Sequence, residues 1–414
     1  MISFILPTRN NLPYVQTAIK SIRKFYVDAE IVLLDDNSTD GTDRWVAETY
    51  DPHLVYYKND GRQVGHTVLY DIGVKMCKHD VFSIFHADMV CGPNYVENIL
   101  KHLKPGGVVS GTRIEPPLHP PGKEKIVMDF GMYSEDFKWS EFYAYCRQAQ
   151  QELSNKDVTT RGIFAPWAMY KDDFIKIGGH DQLFSPFPYE DSDIFQRFIL
   201  ADYNIIQSRD AFVYHFTCRG HRWTKEVQKD DHFYKLCCAK NMNHFIRKWG
   251  SWIENDEFSY PVIKPFYNIG FVVTNCNLQL LGALEPWCST ISCDCPEWES
   301  YIKQVQPGTP FDLKKRVFYR SVEIKNDIIV HFDASQLTQE RFTFLTQLPK
   351  ILLDSGDLGE MKFDIFTFFI KRMPRLESLL IHNNNELYRS RLIEIPVTDE
   401  YYTDELFRVF QNTK

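Results

Sequence analysis

The chain has 414 residues, 44% hydrophobic and 25% charged, with a net charge of −8; it is longer than one hydrophobic core usually serves, so at least two domains are expected. The acidic balance argues against a nucleic-acid binder, which would carry a basic excess or a basic stripe. No apolar run approaches the roughly 20 residues of a membrane-spanning helix, and Met1–Leu6 lacks the basic lead and the length of an export signal, so a soluble, cytoplasmic chain is expected.

In chain order, Ser3–Leu6 reads as a short buried strand. Asn11 and Pro13 open a helix, since Pro is tolerated in a first turn, and Val15, Ala18, Ile19, Ile22 and Phe25 recur at helical spacing. Ile31–Leu34 is the next strand, and Ser38–Gly41 is turn chemistry leading into a helix through Trp45 and Val46. Leu54–Tyr57 is a third strand, Thr67–Cys77 a helix and Val81–Phe85 a fourth strand. Pro93 starts a helix carrying Val96, Ile99, Leu100 and Leu103, and Gly107–Ser110 is a fifth strand. This alternation predicts an α/β fold with a mostly parallel sheet covered by helices. In such sheets ligands collect at the carboxyl ends of the strands.

The Pro-rich stretch Glu115–Gly122 reads as a loop, residues 135–157 as a helix, and a second block resumes near Thr160. A helix ending at Lys248-Trp249 with Gly250 as its C-cap closes the block. Three regions are expected: a catalytic domain over 1–255, an irregular connector over 256–310, and a small α/β accessory module over 311–414. In the module Asp327–Phe332, Phe363–Phe366, Ser378–Ile381 and Leu392–Ile395 read as strands, with helices at Phe342–Leu353 and Leu406–Phe410. Ten cysteines without an export signal point to free thiols in a reducing compartment. Cys276, Cys288, Cys293 and Cys295 cluster in the connector, but their spacing is not the paired C-x-x-C of a zinc site.

Several apolar runs end in side chains that carry chemistry. Leu33-Leu34 runs into Asp35-Asp36 and then Asn37-Ser38-Thr39-Asp40-Gly41-Thr42. The turn residues read as helix caps, but two adjacent carboxylates are costly unless something offsets them. Phe85-His86-Ala87-Asp88 ends a strand in borderline nitrogen and hard oxygen, which together suit Mn2+ or Mg2+ bearing phosphates. Tyr189-Glu190-Asp191-Ser192-Asp193, shortly after Gly178-Gly179-His180-Asp181, puts three carboxylates at a helix start, where the dipole favours negative charge. Val213-Tyr214-His215 ends a further run, and Arg219, His221, Arg222 and Lys225 after it form a basic cluster suited to pyrophosphate.

In this order the strand-end residues resemble the family 2 glycosyltransferases of GT-A fold, over about residues 1–250. Ile5-Leu6-Pro7-Thr8-Arg9-Asn10 is similar to the family's opening strand and turn, and the Asp35–Thr42 stretch to its most recognisable motif. His86-Ala87-Asp88 falls at its D-x-D motif, Gly178–Phe184 at G-G-F-D-E-x-F, Glu190-Asp191 at E-D, and His215 at a metal-site His. The resemblance implies an inverting, metal-dependent transferase that favours a UDP-sugar donor. Asp88 and His215 would hold Mn2+ or Mg2+. Pro7, Thr8, Asn10, Asp36, His86, Ala87 and Arg222 would contact the nucleotide-sugar, a carboxylate at Asp36 suiting the uracil imide N–H. Asp191 would be the general base, and Glu190 would position the hydroxyl of a glycan, glycolipid or protein acceptor.

The sequence also departs from the family pattern. His86 stands where D-x-D has its first Asp, and the usual A-R-N-x-G segment reads Leu69-Tyr70-Asp71-Ile72-Gly73, without the Arg. Trp167 in Ala165-Pro166-Trp167 is either a platform for the acceptor ring or a core side chain. Two other readings stay open. One is a catalytically inactive sugar- or nucleotide-binding protein, favoured by His86 alone. The other is a sugar-nucleotide nucleotidyltransferase, disfavoured because Pro7–Leu12 contains no Gly. No catalytic motif is visible in 311–414, whose open roles are acceptor binding, pairing of protomers into a homo-oligomer, or a second activity.

Overall fold

The computed structural model describes residues 1–154, 156, 158–219, 229–230, 232–320 and 323–374. The strands expected at 378–381 and 392–395, the helix expected at 406–410, and His221, Arg222 and Lys225 lie outside the described residues. Two compact units are present. The first comprises Met1–Asp181, Glu190–Asp231 and Asn255–Pro261; the second comprises Gln182–Tyr189, His232–Glu254 and Val262–Lys414. No described helix is long and apolar enough to cross a membrane.

The first unit is built on ten strands: β1 (Ser3–Thr8), β2 (Glu30–Asp35), β3 (Leu54–Lys58), β4 (Val81–Ile84), β5 (Met89–Cys91), β6 (Gly107–Glu115), β7 (Lys125–Val127), β8 (Thr159–Thr160), β9 (Trp167–Tyr170) and β10 (Asn204–His215). They form one sheet of order β3-β2-β1-β4-β9-β6-β10-β5, with β7 on β6 and β8 on β10. β3, β2, β1 and β4 run parallel, as do β6 and β10. β9 is antiparallel to both its neighbours, and β5 is antiparallel to β10. The helices are α1 (Leu12–Phe25), α2 (Thr42–Glu48), α3 (Gly65–Met76), α4 (Tyr95–Leu100), α5 (Trp139–Leu153), α6 (Lys171–Ile177) and α7 (Glu190–Leu200). The α/β class and mostly parallel sheet expected from the sequence are both present.

The local chemistry explains these elements. β2 and β4 are buried at every position and β1 at all but one, as strands covered on both faces must be, so they read as continuous apolar runs. α1 buries Val15, Ala18, Ile19 and Ile22 at helical spacing, with Pro13 in its first turn. Burying each such aliphatic side chain is worth about 1.5–3 kcal/mol. β5 escaped sequence reading because three residues carry no period; Met89-Val90-Cys91 becomes a strand only because Val213–His215 lies alongside. The fifth strand runs on to Glu115, which places that residue beside the end of β10.

The second unit corrects the expected connector. Instead of an irregular stretch, residues 256–310 carry β11 (Ile269–Thr274), α9 (Leu278–Leu284), β12 (Thr290–Cys293) and α10 (Trp298–Val305), preceded by α8 (His232–Trp249). With β13 (Val317–Tyr319), β14 (Ile328–Asp333), β15 (Gly359–Phe363) and β16 (Phe366–Ile370) they form a second sheet of order β13-β12-β11-β14-β16-β15, whose first four strands are parallel. α11 (Gln339–Thr346) and α12 (Leu348–Ser355) complete it. α8 groups here, not with the first unit, because Asn241 donates to the carbonyls of Phe184 and Phe187 and Arg247 pairs with buried Glu285 at 2.6 Å. Gly250 ends α8 at φ +69 as expected of a C-cap. The four clustered cysteines are buried free thiols in this core.

Candidate active site

The carboxyl ends of β1, β2 and β4 lie side by side in the sheet, so the sequence motifs that end those strands converge. The Asp35-Asp36 doublet is offset by local donors. Asp35 accepts from the Ser38 amide at 2.8 Å and the Tyr56 hydroxyl at 2.6 Å. Asp36 accepts from Asn59 Nδ2 at 2.7 Å and from the amides of Val64 at 3.0 Å and Gly65 at 2.8 Å, so its charge sits at the start of α3. Three of the carboxylate's roughly four lone-pair directions are thereby used. Asn10, at φ 50, ties the first turn to the second: its amide donates to Ser38 Oγ at 2.9 Å and its Oδ1 accepts from the Thr39 amide at 2.7 Å. Pro7 is half-buried in β1. Thr8 Oγ1 is buried with no hydrogen-bond partner, the kind of orphaned polar atom a ligand satisfies.

His86, Ala87 and Asp88 occupy the tight turn between β4 and β5, closed by the Met89 amide donating to the His86 carbonyl at 3.1 Å. The Phe216 amide donates to the Asp88 carbonyl at 3.0 Å, and the β5–β10 pairing brings His215 opposite Met89. His86, Asp88 and His215 each offer one ligand atom, all within 4.8 Å of one another, as the only such group of three among the described residues. His215 Nε2 lies 3.5 Å from Asp88 Oδ1, and its Nδ1 lies 3.1 Å from Glu115 Oε1. Burial works against charge on Glu115, but His215, Arg113 and Lys125 hold its carboxyl well below the usual range. Burial likewise opposes charge on His215, yet Asp88 and then Glu115 outweigh it and raise the imidazole to about 9.

Glu190 and Asp191 begin α7. Glu190 is 6% exposed; its Oε1 lies 2.6 Å from His66 Nε2, while its Oε2 is buried without a partner. Burial pushes the Glu190 carboxyl up, but His66 more than offsets this and keeps it low. Asp191 goes the other way: burial first, then the Glu190 charge, push it up to about 7. Two adjacent carboxylates are thus driven apart, one held ionised and one poised to exchange a proton near neutrality. Asp193, the third carboxylate of the motif, is fully buried and pairs with Arg197 at 2.8 Å; Arg197 also donates to the Gly179 carbonyl at 2.7 Å. Asp193 is scaffold.

Tyr70 connects the two clusters. Its ring stacks on His86 with centroids 6.4 Å apart and lies 5.5 Å from His66. Burial and the charges of Glu190, Asp191 and Asp88 push its hydroxyl well above the usual value, so it stays protonated. The Leu69–Gly73 segment that departed from A-R-N-x-G has its own partner. Asp71 Oδ1 accepts from the His180 amide at 3.1 Å and lies 2.9 Å from His180 Nδ1. Sequence reading missed His66, Tyr70 and Glu115. The one local signal was that Glu115 follows an apolar strand.

Trp167 corrects the acceptor expectation. The indole is 2% exposed and packs edge-on against Phe82, Phe195 and Phe198. Being on β9, in the centre of the sheet, it is a core side chain. Of the basic cluster, Arg219 is described: it is buried, with its guanidinium 5.0 Å from the Tyr133 ring centroid.

Residues 3–172 match the family described as "Glycosyl transferase family 2". The matched segment is rather less than half of the chain and spans β1 to the start of α6. An uncharacterized glycosyltransferase of Rickettsia typhi is 31% identical over 107 residues, covering 25% of this chain. The chain spans 33% of the length of that relative. Among solved structures, GalNAc-T7 with UDP, GalNAc and Mn2+ matches at 13% identity and a TM-score of 0.39, over 52% of this chain and 43% of that one. The mannosyltransferase PcManGT of Pyrobaculum calidifontis, in complex with GDP-Man and Mn2+, matches at 18% identity and a TM-score of 0.40, over 60% and 63%. S. aureus TarS 1-349 matches at 12% and 0.38, over 59% and 71%.

Proposed function

We propose that this chain transfers a sugar from a nucleoside-diphosphate sugar, UDP-sugar by preference, to an acceptor hydroxyl with inversion at the anomeric carbon. The observation that carries the reading is the convergence of His86, Asp88 and His215 in a family 2 segment, linked through Tyr70 to the Glu190–Asp191 pair. Pro7, Thr8 and Asp36 line the nucleotide, with Thr8 Oγ1 as the orphaned atom to be satisfied. Asn10 acts by holding the turn that carries them. Asp191 accepts the proton of the attacking hydroxyl, and the unpartnered Oε2 of Glu190 accepts a hydrogen bond that orients the acceptor.

The donor set fits a divalent cation, because Asp88 supplies a carboxylate and His215 an imidazole fixed by Glu115 from behind. Mn2+ or Mg2+ bound there would neutralise the leaving diphosphate. The acceptor is a glycan, glycolipid or protein hydroxyl, and the second unit acts as an accessory module.

Calorimetric titration of UDP, and separately GDP, with and without Mn2+ tests the reading. UDP binding that needs Mn2+ and is lost in Asp88→Ala is expected; absence of binding by either nucleotide would overturn it. A binding-only protein, favoured by His86, is the second reading. Release of free nucleoside diphosphate from a panel of sugar donors separates the two, since only the enzyme turns over.

A further inference from the structure

We propose that His86 is a direct third ligand of the cation, and that the resulting His-Asp-His set selects borderline first-row ions such as Co2+ or Zn2+ against Mg2+. The inference rests on the cation site of the preceding reading and narrows which ion it takes.

Distance carries the first part. Donor atoms about 2.1 Å from a shared ion lie about 3–4 Å from one another. Asp88 Oδ1 and His215 Nε2 are already 3.5 Å apart, and the whole trio lies within 4.8 Å.

The second argument is placement. The His86 ring is held between two others: it stacks on Tyr70 at 6.4 Å with 17° between the planes, and meets His215 edge-on at 5.6 Å. The Met89 amide, donating to the His86 carbonyl at 3.1 Å, closes the turn that carries both His86 and Asp88. A side chain held this way has less rotamer freedom left to lose when it binds. On the far side Glu115 anchors the His215 ring, and Lys125 at 2.9 Å anchors Glu115. That leaves Asp88 to supply the negative charge.

Chemistry supplies the selectivity. Mg2+ prefers oxygen ligands and dehydrates reluctantly, whereas imidazole suits ions further along the Irving–Williams order. Replacing a carboxylate oxygen by a second imidazole nitrogen moves the site away from Mg2+ and toward Co2+ and Zn2+.

The test uses the metal-stripped full chain and Co2+ as probe, read by its visible absorption and by calorimetry, with Mg2+ titrated separately. Wild type is expected to bind Co2+ more tightly than Mg2+. His86→Ala should weaken Co2+ by about 10- to 100-fold and alter its spectrum, and His86→Asp should move the preference toward Mg2+. Thermal unfolding of each variant checks the fold, and His86→Asn serves as the second variant if Ala is unstable. Equal Co2+ affinity and spectrum in wild type and both His86 variants would overturn the third ligand. Asp88→Ala separates the two levels. If it abolishes Co2+ binding while the His86 variants do not, only this inference fails. If it leaves Co2+ binding intact, the ion lies elsewhere and the underlying reading fails with it.

Discussion

His66 Nε2 and Glu190 Oε1 lie 2.6 Å apart, joining the first turn of α3 to the first turn of α7 across 124 positions of sequence. The pair is largely buried, with side-chain exposures of 18% and 7%. Burial opposes charge on His66, but Glu190 outweighs it and raises the imidazole above its usual value. Removing His66 takes from the buried Glu190 carboxylate its hydrogen-bonded partner, whereas removing both does not leave that charge behind.

His66→Ala is therefore expected to destabilise the first unit by about 3 kcal/mol, through the stranded Glu190 carboxylate. Adding Glu190→Gln should recover part of the loss. Denaturant unfolding of the two single variants and the double measures the coupling; additive losses would show that the pair does not interact.

The carboxylate pair sets a pH dependence. Asp191 must be ionised to accept a proton, and burial followed by the Glu190 charge places its value at about 7. Transfer should rise as pH climbs through about 7. Glu190→Gln removes the repulsion and should shift that limb to lower pH; His66→Gln removes a favourable positive charge and should shift it higher. The stability sign follows: the fold holds this proton more tightly than the unfolded chain, so the contribution is present at low pH and lost as pH rises through about 7. A limb that stays put in both variants would remove Asp191 from the role of base.

Two glycines should differ sharply from a third. A Cβ on Gly73 would sit 2.5 Å from Ile5 Cγ2 and 2.6 Å from Leu34 Cδ1, and one on Gly179, at φ +69, would sit 2.4 Å from Asp71 Oδ2. Gly41, at φ +92, meets nothing within 4 Å. Gly41→Ala should cost about 1 kcal/mol from backbone strain alone. Gly73→Ala should cost about 1–3 kcal/mol by overpacking, and Gly179→Ala should cost more than Gly41→Ala because strain and clash add. Thermal unfolding of the three variants tests the ranking.

Trp167→Ala should cost about 3–5 kcal/mol in stability, as a large core truncation does. Trp167→Phe, which keeps an aromatic in the core, should leave the acceptor KM unchanged. A rise in that KM with stability intact would restore Trp167 to the acceptor side.

The second unit has its own polar core. Glu285 is fully buried; it pairs with Arg247 and Arg316 and accepts from the Tyr301 hydroxyl at 3.0 Å. Burial opposes its charge, but the two guanidinium groups hold it down to about 2. Its stabilising contribution is therefore present above the ordinary glutamate range and lost only as pH falls toward about 2. Glu285→Ala should cost about 3–5 kcal/mol by stranding the buried Arg247 and the half-buried Arg316, with UDP binding by the first unit unchanged in calorimetry.

The sequence by itself determined the strands that end in chemistry. β1, β2 and β4 are short apolar runs bounded by turn residues, and that signal is local: buried strands need apolar side chains at successive positions, and their ends need polar ones. The same locality made Asp35-Asp36, His86-Ala87-Asp88, Glu190-Asp191 and His215 visible as candidates. Tertiary structure alone decided which of them meet. Asp36 spends most of its hydrogen-bonding capacity on neighbouring loops, and Asn10 ties one turn to the next. β5 exists only through its pairing with β10, and that pairing is what brings His215 to Asp88. Glu115, His66 and Tyr70 act on partners up to 124 positions away, and Trp167 is hidden by a strand antiparallel to both its neighbours. No periodicity reports such contacts, because side-chain pairing across a sheet depends on strand order and register, which a single chain's local pattern leaves open.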